Sequence, residues 1–318
     1  MPAWNRLQYL PEAVQSVLDQ SMPDFELIVI DDGSTDGSLE WLAKQTDHRL
    51  KIRRQPHAGI SAALNHGLHT ASGEWIAHLD SDDVWDSMFL QQQLAMAEAH
   101  PGARAIYSRA EAAGNLLQPK GIFRGTPPAM PDDALGSLLL GDFTCNITVI
   151  ARRADILSVG GWRKEFPHGE DWDLWLRVAR LGPFQFNPRV LARYREHGGN
   201  ITQKCWHDLP EMRIEILQSH FSDPELPESA LRWRESAFRR QHIDGAMAAF
   251  SSGLWKRGWV RLQRAFSEDN HWHKTTVCGA MAFFSWCVAP RLRWLTKFQN
   301  NVTSHQNHSD PQRVKTPI

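Results

Sequence analysis

Two short apolar runs in this chain end abruptly in carboxylates, and nothing else in the sequence limits its possible folds so strongly. The first, Phe25 to Ile30, runs into Asp31-Asp32-Gly33-Ser34; the second, Glu74 to Leu79, ends at Asp80-Ser81-Asp82-Asp83. Each run is too short for a helix and is bounded by turn-forming residues, so each reads as a buried strand that delivers acids to a loop. Around them the apolar spacing becomes helical. Tyr9 to Ser21 carries Leu10, Ala13, Val14, Val17 and Leu18 on one face, Ser38 to Lys44 and Ser61 to Thr70 are further helices, and Lys51 to Arg54 is a short strand. Strands alternating with helices predict an α/β fold, a Rossmann-like, mostly parallel sheet flanked by helices. Ligands of such sheets sit beyond the carboxyl ends of the strands, so both acid clusters are expected to face one cleft.

The pattern continues with a helix over Met88 to His100, a strand at Ala105 to Ser108 and a Gly/Pro-rich stretch, Gly121 to Pro131, that reads as a loop. A strand over Ile147 to Ala151 and a helix from Glu170 to Leu181 follow. The sheet domain is expected to span residues 1–205, with a helical, basic and aromatic extension over 206–298 and a disordered polar tail over 299–318. The formal charge is 35 − 36 = −1, which indicates no nucleic-acid partner. Charge is uneven, however: from Arg232 to Lys297 there are twelve Lys or Arg against four acids. Within that region Thr275 to Ala289 is apolar but shorter than the about 20 residues that span a bilayer. It is expected either to rest on an anionic membrane surface or to pack as a helix on the sheet domain or on the partner of a homodimer. Residues 1 to 6 resemble no signal peptide, and the cysteines (Cys145, Cys205, Cys278, Cys287) are scattered. A cytoplasmic protein, peripheral to the membrane if the apolar segment binds lipid, is the expectation.

Asp80, Asp82 and Asp83 place three carboxylates within four residues, a repulsive cluster that a hard cation such as Mg²⁺ or Mn²⁺ would relieve. The alternative is a solvated turn whose Asp82 or Asp83 caps the next helix. Glu170 and Asp171 open a helix, where acids complement the helix dipole. Asp171 shares a face with Leu174, Trp175 and Val178, which reads as inward, while Asp173 is expected to pair outward with Arg177 at i+4.

In order along the chain come Pro2-Ala3-Trp4-Asn5, Ile30-Asp31-Asp32-Gly33-Ser34-Thr35-Asp36, Gly59 to Gly67 with Asn65, Ala71-Ser72-Gly73-Glu74 and Leu79-Asp80-Ser81-Asp82-Asp83. Gly160-Gly161-Trp162, Gly169-Glu170-Asp171-Trp172-Asp173-Leu174-Trp175 and Tyr194-Arg195-Glu196-His197-Gly198-Gly199-Asn200 follow. Across roughly the first 200 residues this series resembles the family 2 glycosyltransferases with a GT-A fold. The resemblance implies a metal-dependent, inverting transfer of sugar from a nucleotide-diphosphate donor to a hydroxyl of a glycan or glycolipid, in surface polysaccharide or glycolipid assembly. It implies that Asn5, Asp31, Asp32, Asn65, Asp80, Glu170 and Trp172 contact the nucleotide sugar. Asp82 would bind Mg²⁺ or Mn²⁺ directly, Asp80 would reach the ribose or the metal's waters, and His197 would ligate the metal or touch the diphosphate. Asp171 would be the base that deprotonates the acceptor.

Two rival readings remain. A sugar-1-phosphate nucleotidyltransferase is expected to begin with a Gly-rich, basic phosphate loop, and none is present near residue 1. A degenerate, inactive binder of sugar nucleotides is the other, because members of the family carry an apolar first strand before the Pro-x-aromatic-Asn motif. Met1 stands where that strand should end, so about one strand length of Val/Ile-rich sequence is expected upstream.

Overall fold

The computed structural model describes residues 1–114, 116–130, 132–200 and 209–266. The apolar segment Thr275 to Ala289, the tail, and Cys205, Cys278 and Cys287 lie outside these residues; Cys145 is a buried free thiol.

The first acid-tipped run is β2 (Leu27–Asp31), buried along its whole length. It lies in a parallel three-stranded sheet between β3 (Leu50–Arg54) and a two-residue β1 (Pro2–Ala3). The helices α1 (Leu10–Leu18) and α2 (Ser38–Leu42) connect these strands, α3 (Ile60–Thr70) leads from β3 to the second sheet, and α1 buries the predicted face of Leu10, Ala13, Val14 and Val17.

The second sheet is mixed. Its strands β4 (Trp75–Ala77), β5 (Val84–Trp85), β6 (Ala105–Ala113), β8 (Ile150–Arg152) and β9 (Phe184–Arg195) run in the order β4-β8-β6-β9-β5, with β7 (Pro119–Arg124) paired to β6. The α/β class is as expected, but parallel pairing is narrower than the alternation predicted. In this sheet only β6 and β9 run parallel; β4–β8, β6–β8, β6–β7 and β5–β9 are antiparallel. β7 also occupies the start of the stretch read as a loop. It returns from β6 through a short turn, a connection that only an antiparallel pair can use, and stacks Phe123 on Tyr194 of β9 at 4.1 Å. The helices α4 (Phe89–Ala99), α5 (Ala134–Leu140), α6 (Arg153–Ser158) and α7 (Glu170–Val178) complete the layers.

Beyond the sheets come α8 (Leu209–Phe221), α9 (Glu228–Leu231), α10 (Arg234–Ser251) and α11 (Trp255–Phe266). The chain divides into compact units at 1–237 and 238–318, so the boundary falls downstream of the expected residue 205. The reason is α8. Its His220 bonds Asp173 of α7 at 3.0 Å, and Ile216 lies so close to Gly169 that a Cβ there would meet its Cδ1 at 2.6 Å.

No ladder joins the two sheets among the described residues. Met1 donates its amine to the Ile28 carbonyl at 2.9 Å, and burial lowers that amine's pKa to about 5. Between β2 and β4 lies a cavity of about 550 Å³ lined by Leu27, Ile28 and Ile30 on one side, Trp75 and Ile76 on the other, and Leu68 of α3. Gly67 also lines it, and a Cβ there would meet Ile30 Cγ1 at an ordinary 3.6 Å. Gly67→Ala is therefore expected to stabilise the protein by about 0.5–1 kcal/mol, through helix propensity and a partly filled void. A calorimetric scan should show a Tm about 2 °C higher; an unchanged or lower Tm contradicts the packing described.

Candidate active site

The turn after β4 is held from three sides. Asp83, fully buried, accepts the Arg195 backbone N–H at 2.7 Å; burial, with the charges of Asp82 and Asp80 added, pushes its carboxyl well above the ordinary range. Asp82 Oδ2 accepts from Arg6 Nε at 3.0 Å and lies 3.1 Å from His197 Nε2. Burial opposes the Asp82 charge, but the His197 hydrogen bond and the Arg6 guanidinium outweigh it and hold the carboxyl below its usual pKa. The His197 ring stacks on Tyr9 at 4.5 Å, and its Nδ1 accepts the Gly199 N–H at 3.0 Å, so Nε2 carries the proton toward Asp82.

The expected metal trio is thereby split. Asp82 and His197 touch, whereas Asp80 Oδ1 lies 3.0 Å from His78 Nε2 instead. Among the described residues no three His, Cys, Asp or Glu side chains converge to metal-binding distance. What the site offers a hard cation is the Asp82 carboxylate, with the His197 imidazole able to join it once Nε2 gives up its proton. That set fits Mg²⁺ or Mn²⁺ if substrate oxygens complete the shell.

At the end of β2 the carboxylates face inward. Asp32 Oδ1 accepts from Gln55 Nε2 and the Ala58 N–H, both at 2.8 Å, and Oδ2 accepts the Gly59 N–H at 2.9 Å, with His57 Nδ1 at 2.8 Å. The residue expected to hold base or ribose is thus engaged in fixing the entry to α3. Its neighbour His57 stacks on the exposed Trp4 at 4.2 Å. Asp31 is buried, accepts the Ser34 N–H at 3.3 Å and lies outside the cleft lining. Asn5 and Asn65 also lie outside it. Asn5, at φ 51°, accepts the Thr35 N–H at 2.8 Å and so ties two loops together. Asn65 donates to the Trp162 carbonyl at 2.7 Å and accepts its N–H at 2.9 Å, which spends the amide on the Gly160-Gly161-Trp162 turn. Both were expected to contact nucleotide; here each short polar side chain bonds backbone.

Along α7 the inward and outward acids are reversed from the helical reading. Asp173 is the fully buried one, bonded to Arg177 at 2.6 Å and to His220 at 3.0 Å, because α8 covers the face taken for solvent. Asp171 is half-buried at the cleft wall and accepts the Trp172 N–H at 2.7 Å. Burial and then the Asp142 charge push its carboxyl up to about 6, against the pull of Arg124. Glu170 is buried, and its Oε2 has no hydrogen-bond partner among the described residues; burial, with Asp171 adding, takes it to about 8. Trp172, expected to face a sugar, is only 2% exposed and donates its indole N–H to the Leu138 carbonyl at 3.0 Å, with Arg213 over the ring. It lines the cleft from beneath as support.

Asp32, Asp80, Asp82, Glu170, Asp171 and Trp172 do line one cleft, of about 470 Å³. With them stand Asn146 and residues that sequence reasoning passed over: Arg6, His57, Arg124, Asp142 and Arg213. Arg124 pairs with Asp142 at 2.6 Å across 18 positions of sequence, a contact with no local signature. His78 did leave a signal, as a lone polar residue two places before Asp80 in an apolar run.

The family model for glycosyl transferase family 2 matches residues 1–139. A Bacillus subtilis protein named as glycosyltransferase EpsE is 31% identical over 205 residues, covering 62% of this chain and 71% of that protein. The teichuronic acid biosynthesis glycosyltransferase TuaG of the same species is 29% identical over 212 residues, covering 64% of this chain and 81% of its own. In fold, the chain is similar to the mannosyltransferase PcManGT of Pyrobaculum calidifontis, solved with GDP-Man and Mn²⁺. That likeness has a TM-score of 0.60 at 17% identity and covers 93% of this chain and 81% of the other.

Because Asn65 satisfies both backbone groups of Trp162, Asn65→Ala is expected to cost about 1–3 kcal/mol. Denaturant unfolding should show the loss, while half-saturation by nucleotide stays unchanged. A large change in nucleotide affinity at constant stability would return Asn65 to the binding site.

Proposed function

The chain belongs to glycosyl transferase family 2, and from that premise we propose that this enzyme is metal-dependent and inverting, moving sugar from a nucleotide diphosphate to a glycan or glycolipid hydroxyl. One observation carries the reading. The Asp82 carboxylate, with His197 against it, lines the same cleft as Asp171, the acid whose pKa is raised to about 6.

A bound Mg²⁺ or Mn²⁺ would supply charge to neutralise the departing diphosphate, and Asp82 with His197 are the residues to hold it. Arg6, beside Asp82, brings a further positive charge to that part of the cleft. Asp171 accepts the proton of the acceptor hydroxyl as its oxygen bonds to the anomeric carbon. The bond from that carbon to the diphosphate oxygen breaks, and its electron pair leaves with the diphosphate. Attack from the face opposite the leaving group inverts the configuration. A base at about 6 is ionised at neutral pH yet still basic enough to assist, and Glu170, at about 8, stays protonated beside it as a hydrogen-bond donor. Likeness to TuaG supports a surface polysaccharide as product. A lipid-borne acceptor agrees with α11, which exposes Trp255, Trp259 and Val260 beside Lys256.

Asp171→Asn is expected to lower kcat by about 10²- to 10⁴-fold with little change in the donor KM. The wild-type kcat/KM should rise with pH through about 6, since the base works only when deprotonated. A folded Asp171→Asn enzyme with full transfer activity would sink the assignment. Independently, anionic vesicles but not neutral ones should carry the protein down on sedimentation; recovery only in the supernatant removes the lipid part of the reading.

A further inference from the structure

His78 is a polar residue in the apolar run Trp75-Ile76-Ala77-His78-Leu79, and it is only 4% exposed. Burying an imidazole there is costly unless both ring nitrogens find partners. Nε2 lies 3.0 Å from Asp80 Oδ1, an ion-pair contact, and makes no hydrogen bond among the described residues. A carboxylate has no proton to give, so the proton in that contact belongs to Nε2. The neutral ring then leaves Nδ1 as an acceptor, and the amide Nδ2 of Asn146 is pressed against it. Asn146 comes from the helical turn Asn146–Thr148 before β8, far from His78 in sequence, and it lines the cleft with Asp80. Its Oδ1 is buried with no hydrogen-bond partner among the described residues, while its Nδ2 meets the histidine. Asp80 itself is one-third exposed, and without this contact its carboxylate would be free to change rotamer in solvent.

We propose that Asn146 and His78 form a relay that sets the orientation of the Asp80 carboxylate, making both positioning residues for the cation and diphosphate. This rests on the metal-dependent reading above. Outer partners of this kind alter metal affinity about 10- to 100-fold when removed, because they fix the group that meets the ion or its waters before the ion arrives.

Binding of Mn²⁺, followed by the EPR signal of the free ion, tests the relay, with UDP, GDP, ADP, CDP and dTDP each tried as the anion. His78→Leu is expected to weaken nucleotide-dependent Mn²⁺ binding about tenfold. His78→Gln, whose amide keeps a donor near the Nε2 position, should restore most of it, and Asn146→Ala should give a smaller loss without emptying the core. In an Asp80→Asn background His78→Leu should add nothing, since the relay acts only through that carboxylate. An equal loss from His78→Leu with and without Asp80, or unchanged affinity in both His78→Leu and Asn146→Ala, overturns the proposal. ¹⁵N-histidine spectra of the metal-free protein give a second readout: His78 is expected as the Nε2–H tautomer, shifting in Asn146→Ala, and an Nδ1–H ring overturns the relay. Wild-type protein that binds no Mn²⁺ with any of these nucleotides removes the metal reading and this proposal together, whereas the other adverse outcomes remove the relay alone.

Discussion

Three acids within four residues repel one another, and the site depends on the hydrogen-bond donors that the end of β9 brings to their turn. Arg195 meets Asp83 through its backbone N–H and the Asp82 carbonyl through Nε at 2.9 Å, while its guanidinium pairs with Glu12 of α1 at 2.5 Å. One residue thus anchors the acidic turn to both a strand and a helix. Two positions later, the same strand end presents His197 to Asp82. The twelve-residue length of β9 follows from this task, since it pairs with β6 through most of its course and with β5 near its end.

The acids of the cleft divide by what surrounds them. Asp82 is stabilised as an anion by donors from Arg6 and His197, whereas Glu170 and Asp171, at the start of α7, are left largely uncompensated and rise to about 8 and about 6. Neighbouring carboxyl groups with separated pKa values can play opposite parts, one neutral and donating, the other charged and accepting. Asp173, two residues further on, has Arg177 and His220 and serves to bind α8 to α7. Carboxyl side chains therefore meet three different surroundings within four positions of one helix.

Some residues expected to meet a nucleotide also bond the backbone that shapes the loops around the cleft. Asp32 fixes the entry to α3, Asn5 ties Thr35, and Asn65 holds Trp162. Each belongs to a motif that the sequence presents in order, yet motif membership does not distinguish a residue that touches a ligand from one that shapes the loop beside it. Short polar side chains bond readily to nearby backbone, and that competition is invisible without coordinates.

From the sequence alone, the alternation of apolar runs and helical faces determined the α/β class, and the place of Asp31-Asp32 and Asp80-Ser81-Asp82 after strands determined that acids would meet at one end of the fold. These are local properties, fixed by the periodicity of a few adjacent residues. Tertiary structure decided which acids share the cleft, because that depends on pairings across long separations: Arg195 with Asp82 and Asp83, Arg124 with Asp142, and α8 covering Asp173. It decided as well that the second sheet mixes one long parallel pairing, β6 with β9, with antiparallel ones, and that β1 is two residues long beside a cavity. Strand direction and burial are set by what packs from elsewhere in the chain, and no window of sequence contains that partner.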